Sequence, residues 1–194
     1  ESDGLTPEQV AQAVQPLLED AQIRKLGHDI KGDLLRLKEW GIEVAGPLFD
    51  TMVADWLLSP ARHQHTLSSI ALEQLDAHLA APRDLLEPRA RDLRSTPVPT
   101  WTQWSGEVTR TLLRLAQRLP ELLAQHKLAD LFQEVEMPLV RVLLDLERVG
   151  VKVDTGLLGT VSLELGERID ALEQQIHSLA GHPFNIQSPR QLGE

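Results

Sequence analysis

Seven apolar residues, Leu158, Val161, Leu165, Ile169, Leu172, Ile176 and Leu179, recur at spacings of three and four between Asp154 and Gly181. That rhythm fits one face of a single helix about 39 Å long, well beyond an ordinary globular helix. Asp154 suits its N-cap and Gly181 its end, while Gly159 and Gly166 each cost about 1 kcal/mol relative to alanine. The run before it is similar. Val135, Leu139, Val142, Leu146 and Val149 share a face, with Glu136, Arg141, Glu147 and Arg148 largely off it. Gly150 is placed to end this helix, and Pro138 either opens its last long run or bends it. Val151 and Val153 alternate about Lys152 as in a short strand. The pattern predicts a long α-helical hairpin, and on periodicity alone any antiparallel coiled coil would satisfy it.

The chain has 194 residues, 42% hydrophobic and 25% charged, enough for one sizeable core or two small ones. No apolar run reaches the length of a membrane span and no basic-then-apolar leader opens the chain, which is read as cytoplasmic. The absence of cysteine excludes disulfides and thiolate metal sites. A net charge of −10 argues against a whole surface that grips phosphates, so any nucleic-acid contact is local. Glu1 and Glu194 as end residues suggest a piece of a longer protein.

Upstream, Val10, Val14, Leu17 and Leu18 after Thr6 mark a first helix, and Ile23 to His28 a short strand. Ile30, Leu34, Leu37 and Trp40 mark a second helix closed by Gly41. Asp50 can cap a third helix that ends at Ser59 and Pro60, and Leu67, Ile70, Ala71 and Leu75 a fourth. Residues 80 to 100 read as irregular, with four prolines among charges. A helical pattern returns from Trp101, breaks at Pro120 and resumes toward Leu128. Trp40, Trp56 and Trp104 lie on apolar faces and read as core. His63 and His65 form an H-x-H pair with no further ligand in view, and a polar loop is the expected setting.

Three groups of residues together resemble the family-A DNA polymerases of the polymerase I type. Gly27, Lys31 and Asp33 resemble the G-x-x-x-K-x-D motif of that family's 3′-to-5′ exonuclease domain, and Phe49, Asp50, Thr51 and Met52 its F-D-T-M turn. The stretch from Phe132 to Asp154 and the ending AGHPFNIQSPRQL resemble the base and tip entry of its thumb. The resemblance implies an α/β fold, a truncated RNase-H-like exonuclease unit that is mostly helical, followed by the long α-helical hairpin. It places a degenerate exonuclease-like domain over residues 1–130, lacking its N-terminal strands, and the base of the thumb over residues 131–194.

The family's exonuclease is a two-metal hydrolase, and its dications need several carboxylates. Here the early D-x-E strand is missing ahead of Gly27. Counted back from the E-M-P-L-V stretch, the late Y-x-x-x-D motif falls on Trp104 to Val108, so tryptophan replaces the tyrosine and valine the metal-binding aspartate. Glu107 is one residue away, a rotation of about 100° on a helix. Asp33 is left as a vestigial carboxylate near a helix start. The expected reading has no catalytic centre, no metal site and no cofactor in this fragment, with Mg²⁺ belonging to a parent enzyme that extends a primer on a DNA template. Its DNA contacts fall on Asn185, Gln187, Ser188 and Arg190, where a helix-cap reading of Ser188 and Pro189 is the alternative. The rival functions are an active RNase-H-like exonuclease and a non-enzymatic helical interaction module.

Overall fold

The computed structural model describes residues 4–86 and 96–193, and the chain forms two compact units, Glu1–Val149 and Gly150–Glu194. Helix α1, Pro7–Glu19, starts at a capping box: the Thr6 hydroxyl accepts from the backbone of Gln9, whose side chain accepts from the backbone of Thr6. Two short parallel strands follow, β1 at Lys25–Gly27 and β2 at Leu48–Asp50, joined by helix α2 at Ile30–Glu39. Lys25 pairs with Leu48, Leu26 with Phe49 and Gly27 with Asp50. Helices α3, Thr51–Leu58, and α4, Leu67–Leu75, come next, α4 being capped by Thr66. Pro82–Leu85 is a 3₁₀ turn. Irregular structure thus covers part of the expected 80–100 segment, and residues 87–95 lie outside the described ones.

Helix α5, Val98–Gln125, packs against α3, α4 and β1 and supplies Leu115, Leu119 and Leu123 to the core. It runs unbroken through Pro120, contrary to the expected interruption. A proline inside a helix costs about 3 kcal/mol, and burying three leucines outweighs that at about 2 kcal/mol each. The short helix α6, Ala129–Leu131, passes into a π-helical turn at Phe132–Glu136 and then into α7, Met137–Val149. The π turn directly precedes Pro138, and the chain stays helical through it. Met137, Val140 and Leu144 of α7 are buried, and the helix packs on α2 and β2. Compactness therefore groups α7 with the preceding unit, well past the boundary at 130 that the sequence suggests.

One glycine is irreplaceable by geometry. Gly46 has φ +83, and a Cβ there would lie 2.8 Å from the carbonyl oxygen of Ala21 and 2.9 Å from that of Ile23. The loop entering β2 thus presses on the loop that leaves α1, a contact no side chain could share.

In the second unit, helix α8 spans Thr155–Ala180, capped by Asp154 and ended by Gly181 at φ +76, as its spacing predicts. None of its side chains is buried. Residues 151–153 form no strand, because alternation yields one only where a neighbour offers hydrogen bonds. The short helix α9, Pro189–Leu192, closes the described chain. Two expected core tryptophans are also corrected: Trp40 is 56% exposed and Trp56 46%. Each has an apolar body on a face only partly covered by neighbours.

Candidate exonuclease-type site and nucleic-acid contacts

The C-terminal ends of β1 and β2 lie side by side, and a helix leaves each one. Asp50, 1% exposed, holds this corner together. Its carboxylate accepts from the backbone N–H of Met52 at 2.8 Å, which caps α3, and from those of Ile30 at 2.8 Å and Asp29 at 3.1 Å, which open α2. Asp29 itself adopts a left-handed conformation, φ 55, and makes no side-chain cap, so the cap of α2 comes from the other strand. Thr51 donates its hydroxyl to the carbonyl of Gly27 at 3.1 Å and so accepts from Nδ1–H of His28 at 3.0 Å. The two motifs that the sequence singled out are therefore bound to each other. Burial holds the pKa of His28 below its ordinary value, against the opposing pull of Asp50, Asp29, Asp55 and Asp33.

Asp33 lies in the first turn of α2, and the nearest cation is Arg36 at 3.4 Å. Its side chain is 58% exposed, yet partial desolvation holds its pKa above the ordinary carboxylate value, with Asp29 and Asp50 adding to the rise and Arg36 and His28 opposing it. Lys31 of the same motif pairs with Glu147 of α7. On α5, Trp104 donates its indole N–H to the carbonyl of Ala80 at 2.8 Å and meets Trp101 edge to face at 5.4 Å. Val108 is half-buried, and Glu107 accepts from the side chain of its own helix neighbour Gln103. No hydrogen bond or ion pair connects Asp33 to α5 among the described residues.

That donor set does not fit a pair of divalent ions. Asp50 accepts from three backbone N–H donors, Val108 has no lone pair, and Asp33 has Arg36 as its ion-pair partner. Among the described residues no cluster of three or more histidines, aspartates or glutamates could hold a metal ion.

Sequence reasoning missed a buried network at the end of α3. Asp55, fully buried, accepts from Arg62 at 3.1 and 3.3 Å and from Nδ1–H of His65 at 2.7 Å, and Arg62 also pairs with Glu73 of α4. The H-x-H pair is thereby split: His65 locks the α3–α4 connection and His63 is exposed. The one available signal was a lone aspartate in an otherwise apolar turn of α3.

The four residues expected to reach DNA share one turn of the second unit. The side chain of Asn185 accepts from the backbone of Gln187 at 3.0 Å, its carbonyl accepts from Ser188, and Ser188 caps α9 ahead of Pro189. His177 donates to the carbonyl of Phe184 at 2.9 Å and stacks edge to face on its ring, which ties this turn to α8. Arg190 is exposed. The helix-cap reading of Ser188 and Pro189 is correct as local geometry.

Two parallel strands, their crossover helix and a long helix packed beside them make an α/β arrangement that the exonuclease-type proteins share. The sequence model of the 3′-5′ exonuclease family of A-type DNA polymerases matches residues 3–124, and the chain belongs to that family. DNA polymerase I of Pseudomonas aeruginosa is 37% identical over 189 residues, which cover 95% of this chain and 21% of that protein. The chain thus spans about a fifth of its curated relatives and corresponds to their exonuclease-like region. The solved POL domain of Pol1 from M. smegmatis, in complex with DNA primer-template and dNTP, matches with a TM-score of 0.69 and 26% identity, covering 99% of this chain and 30% of that one. Brucella melitensis NrnC bound to pGG matches with a TM-score of 0.59 and 20% identity over 77% of this chain and 68% of that one, a likeness of fold. No helix among the described residues is long and apolar enough to cross a membrane.

Proposed function

We propose that this chain is the degenerate exonuclease-like domain and thumb base of a cytoplasmic DNA-directed DNA polymerase of the polymerase I type, and that the domain serves as a scaffold for synthesis rather than as an editor. The parent extends a primer on a DNA template with Mg²⁺, in replication or repair. Residues 1–130 form a truncated RNase-H-like unit in this reading, and residues 131–194 the start of the thumb. One observation carries the inactive assignment: Asp50, the buried carboxylate at the strand ends, is engaged in capping two helices, and Asp33 is paired with Arg36. The late-motif position holds Val108 instead of a ligand.

The test is to incubate the chain, and the parent, with single-stranded DNA and Mg²⁺ or Mn²⁺. No mononucleotides should be released from the 3′ end. Metal-dependent release that disappears in Asp33→Ala would overturn the assignment.

The DNA contact proposed for Asn185, Gln187, Ser188 and Arg190 rests on the thumb-tip resemblance, and the primer-template bound by the M. smegmatis relative supports it. Short polar side chains there suit phosphate contacts that read no bases. In the parent, Arg190→Ala should weaken binding equally for unrelated duplexes and reduce the salt slope by about one. Unchanged affinity and salt slope would leave Ser188 as a helix cap and nothing more.

A further inference from the structure

Beside β2 lies a cleft of about 800 Å³, within the usual range for ligand sites, about 300–1,000 Å³. Its wall is apolar: Leu48 and Phe49 of β2, Leu123 of α5, Phe132 of the π turn and Met137 of α7 line it. Phe49 and Phe132 pack ring against ring at 5.1 Å, so this wall is fixed by the core behind it. Pro47, Pro120 and Pro138 contribute further surface. None of the three has an N–H, and Pro47 heads the strand, so an incoming segment meets side chains rather than a free ladder.

The charge of the cleft is unlike that of the chain. In a protein of net charge −10, the lining contains Arg24 and Arg141 and no aspartate or glutamate. Arg24 pairs with no carboxylate among the described residues. Arg141 donates only to the carbonyls of Val44 at 3.1 Å and Gly46 at 3.4 Å, which orient its guanidinium and leave its charge unneutralised by a side chain. Gln133 adds a neutral polar group. Two uncompensated cations beside fixed aromatic and aliphatic surface select a partner that is anionic and apolar at once. The rim at Arg24, Ala124, Gln133 and Pro138 is exposed, so the cleft admits a chain passing through it and does not enclose a small molecule.

We propose that this cleft docks a short acidic peptide segment, with leucine or phenylalanine side chains set against Phe49, Phe132 and Met137 and its carboxylates facing Arg24 and Arg141. The site is separate from the corner around Asp50 and does not depend on the polymerase reading.

The test titrates the isotopically labelled full chain with an amidated hexapeptide that alternates glutamate with leucine and phenylalanine, and with its lysine counterpart. Amide shifts that saturate at Gly46, Leu48, Phe132 and Gln133 are expected for the acidic peptide, with the lysine peptide at least about tenfold weaker. Arg24→Glu and Gln133→Glu, both on the exposed rim, should each weaken the acidic peptide about tenfold while the spectrum away from the cleft stays unchanged. Equal binding of the two peptides, no saturable shift, or indifference to Arg24→Glu would overturn the proposal. So would the same residues shifting when the chain alone is concentrated, an outcome that assigns the cleft to a second copy.

Discussion

Asp50 shows how one residue can do more architectural work than its sequence position announces. The sequence marks it as the cap of α3, and its carboxylate also accepts from the backbone of Asp29 and Ile30 at the start of α2. Removing it orphans the starts of two helices together. At about 1 kcal/mol per cap, and more for buried N–H groups, Asp50→Ala should cost about 2–4 kcal/mol in urea unfolding. Asp33→Ala, on an exposed surface, should stay within about 0.5 kcal/mol. Equal effects of the two would refute the double-cap account. His28 gives a pH signature. Its folded pKa lies below the ordinary histidine value, about 6.5, so the unfolded chain takes up the proton first. The stability it contributes is complete above 6.5 and is lost as pH falls from there toward the lowered folded pKa. Unfolding midpoints compared between about pH 8 and pH 5 should therefore drop less in His28→Gln than in the wild type. An identical drop would show that the imbalance lies with other histidines.

At the level of elements, the sequence carries most of what is local and little of what is not. Caps at Thr6, Asp50 and Asp154 were legible because a cap is written within four residues of the helix it starts. The period of α8 was legible for the same reason. The cap of α2 was not, since it arrives from Asp50, twenty residues downstream of Ile30. Pro120 misled by suggesting a break, since burial on both sides of it outweighs one missing hydrogen bond, whereas Pro138 opens α7 just after a π turn, one of the two roles its position suggests. Residues 151–153 alternate like a strand and stay irregular for want of a partner. The candidate site was half legible. Resemblance assigns Trp104 and Val108 to the late-motif positions as a proposal, whereas the Asp55, Arg62 and His65 network depends on a meeting of α3 with the loop after it that periodicity does not encode.

For the whole molecule, a surface with 29 acidic against 19 basic residues predicts poor binding of duplex DNA by the isolated chain, with any contact confined to the turn around Arg190. The same scale decides where the chain divides. Family resemblance sets a boundary at 130, but α7 buries Met137, Val140 and Leu144 against the first unit, and it is pinned there by Arg141 on the carbonyls of Val44 and Gly46 and by Glu147 on Lys31. The irregular residues 150–154 carry no such contacts. Mild proteolysis should therefore cut first at 150–154 and leave α7 with the N-terminal piece, as mass spectrometry of the fragments would show. Arg141→Met keeps an apolar stem and removes the donors, so it should lower stability by about 1–2 kcal/mol and open a second site at 126–131, ahead of α7. First cleavage of the wild type at 126–131 would mean that the family boundary is also the physical seam, and that the packing of α7 on α2 is too weak to hold the two together.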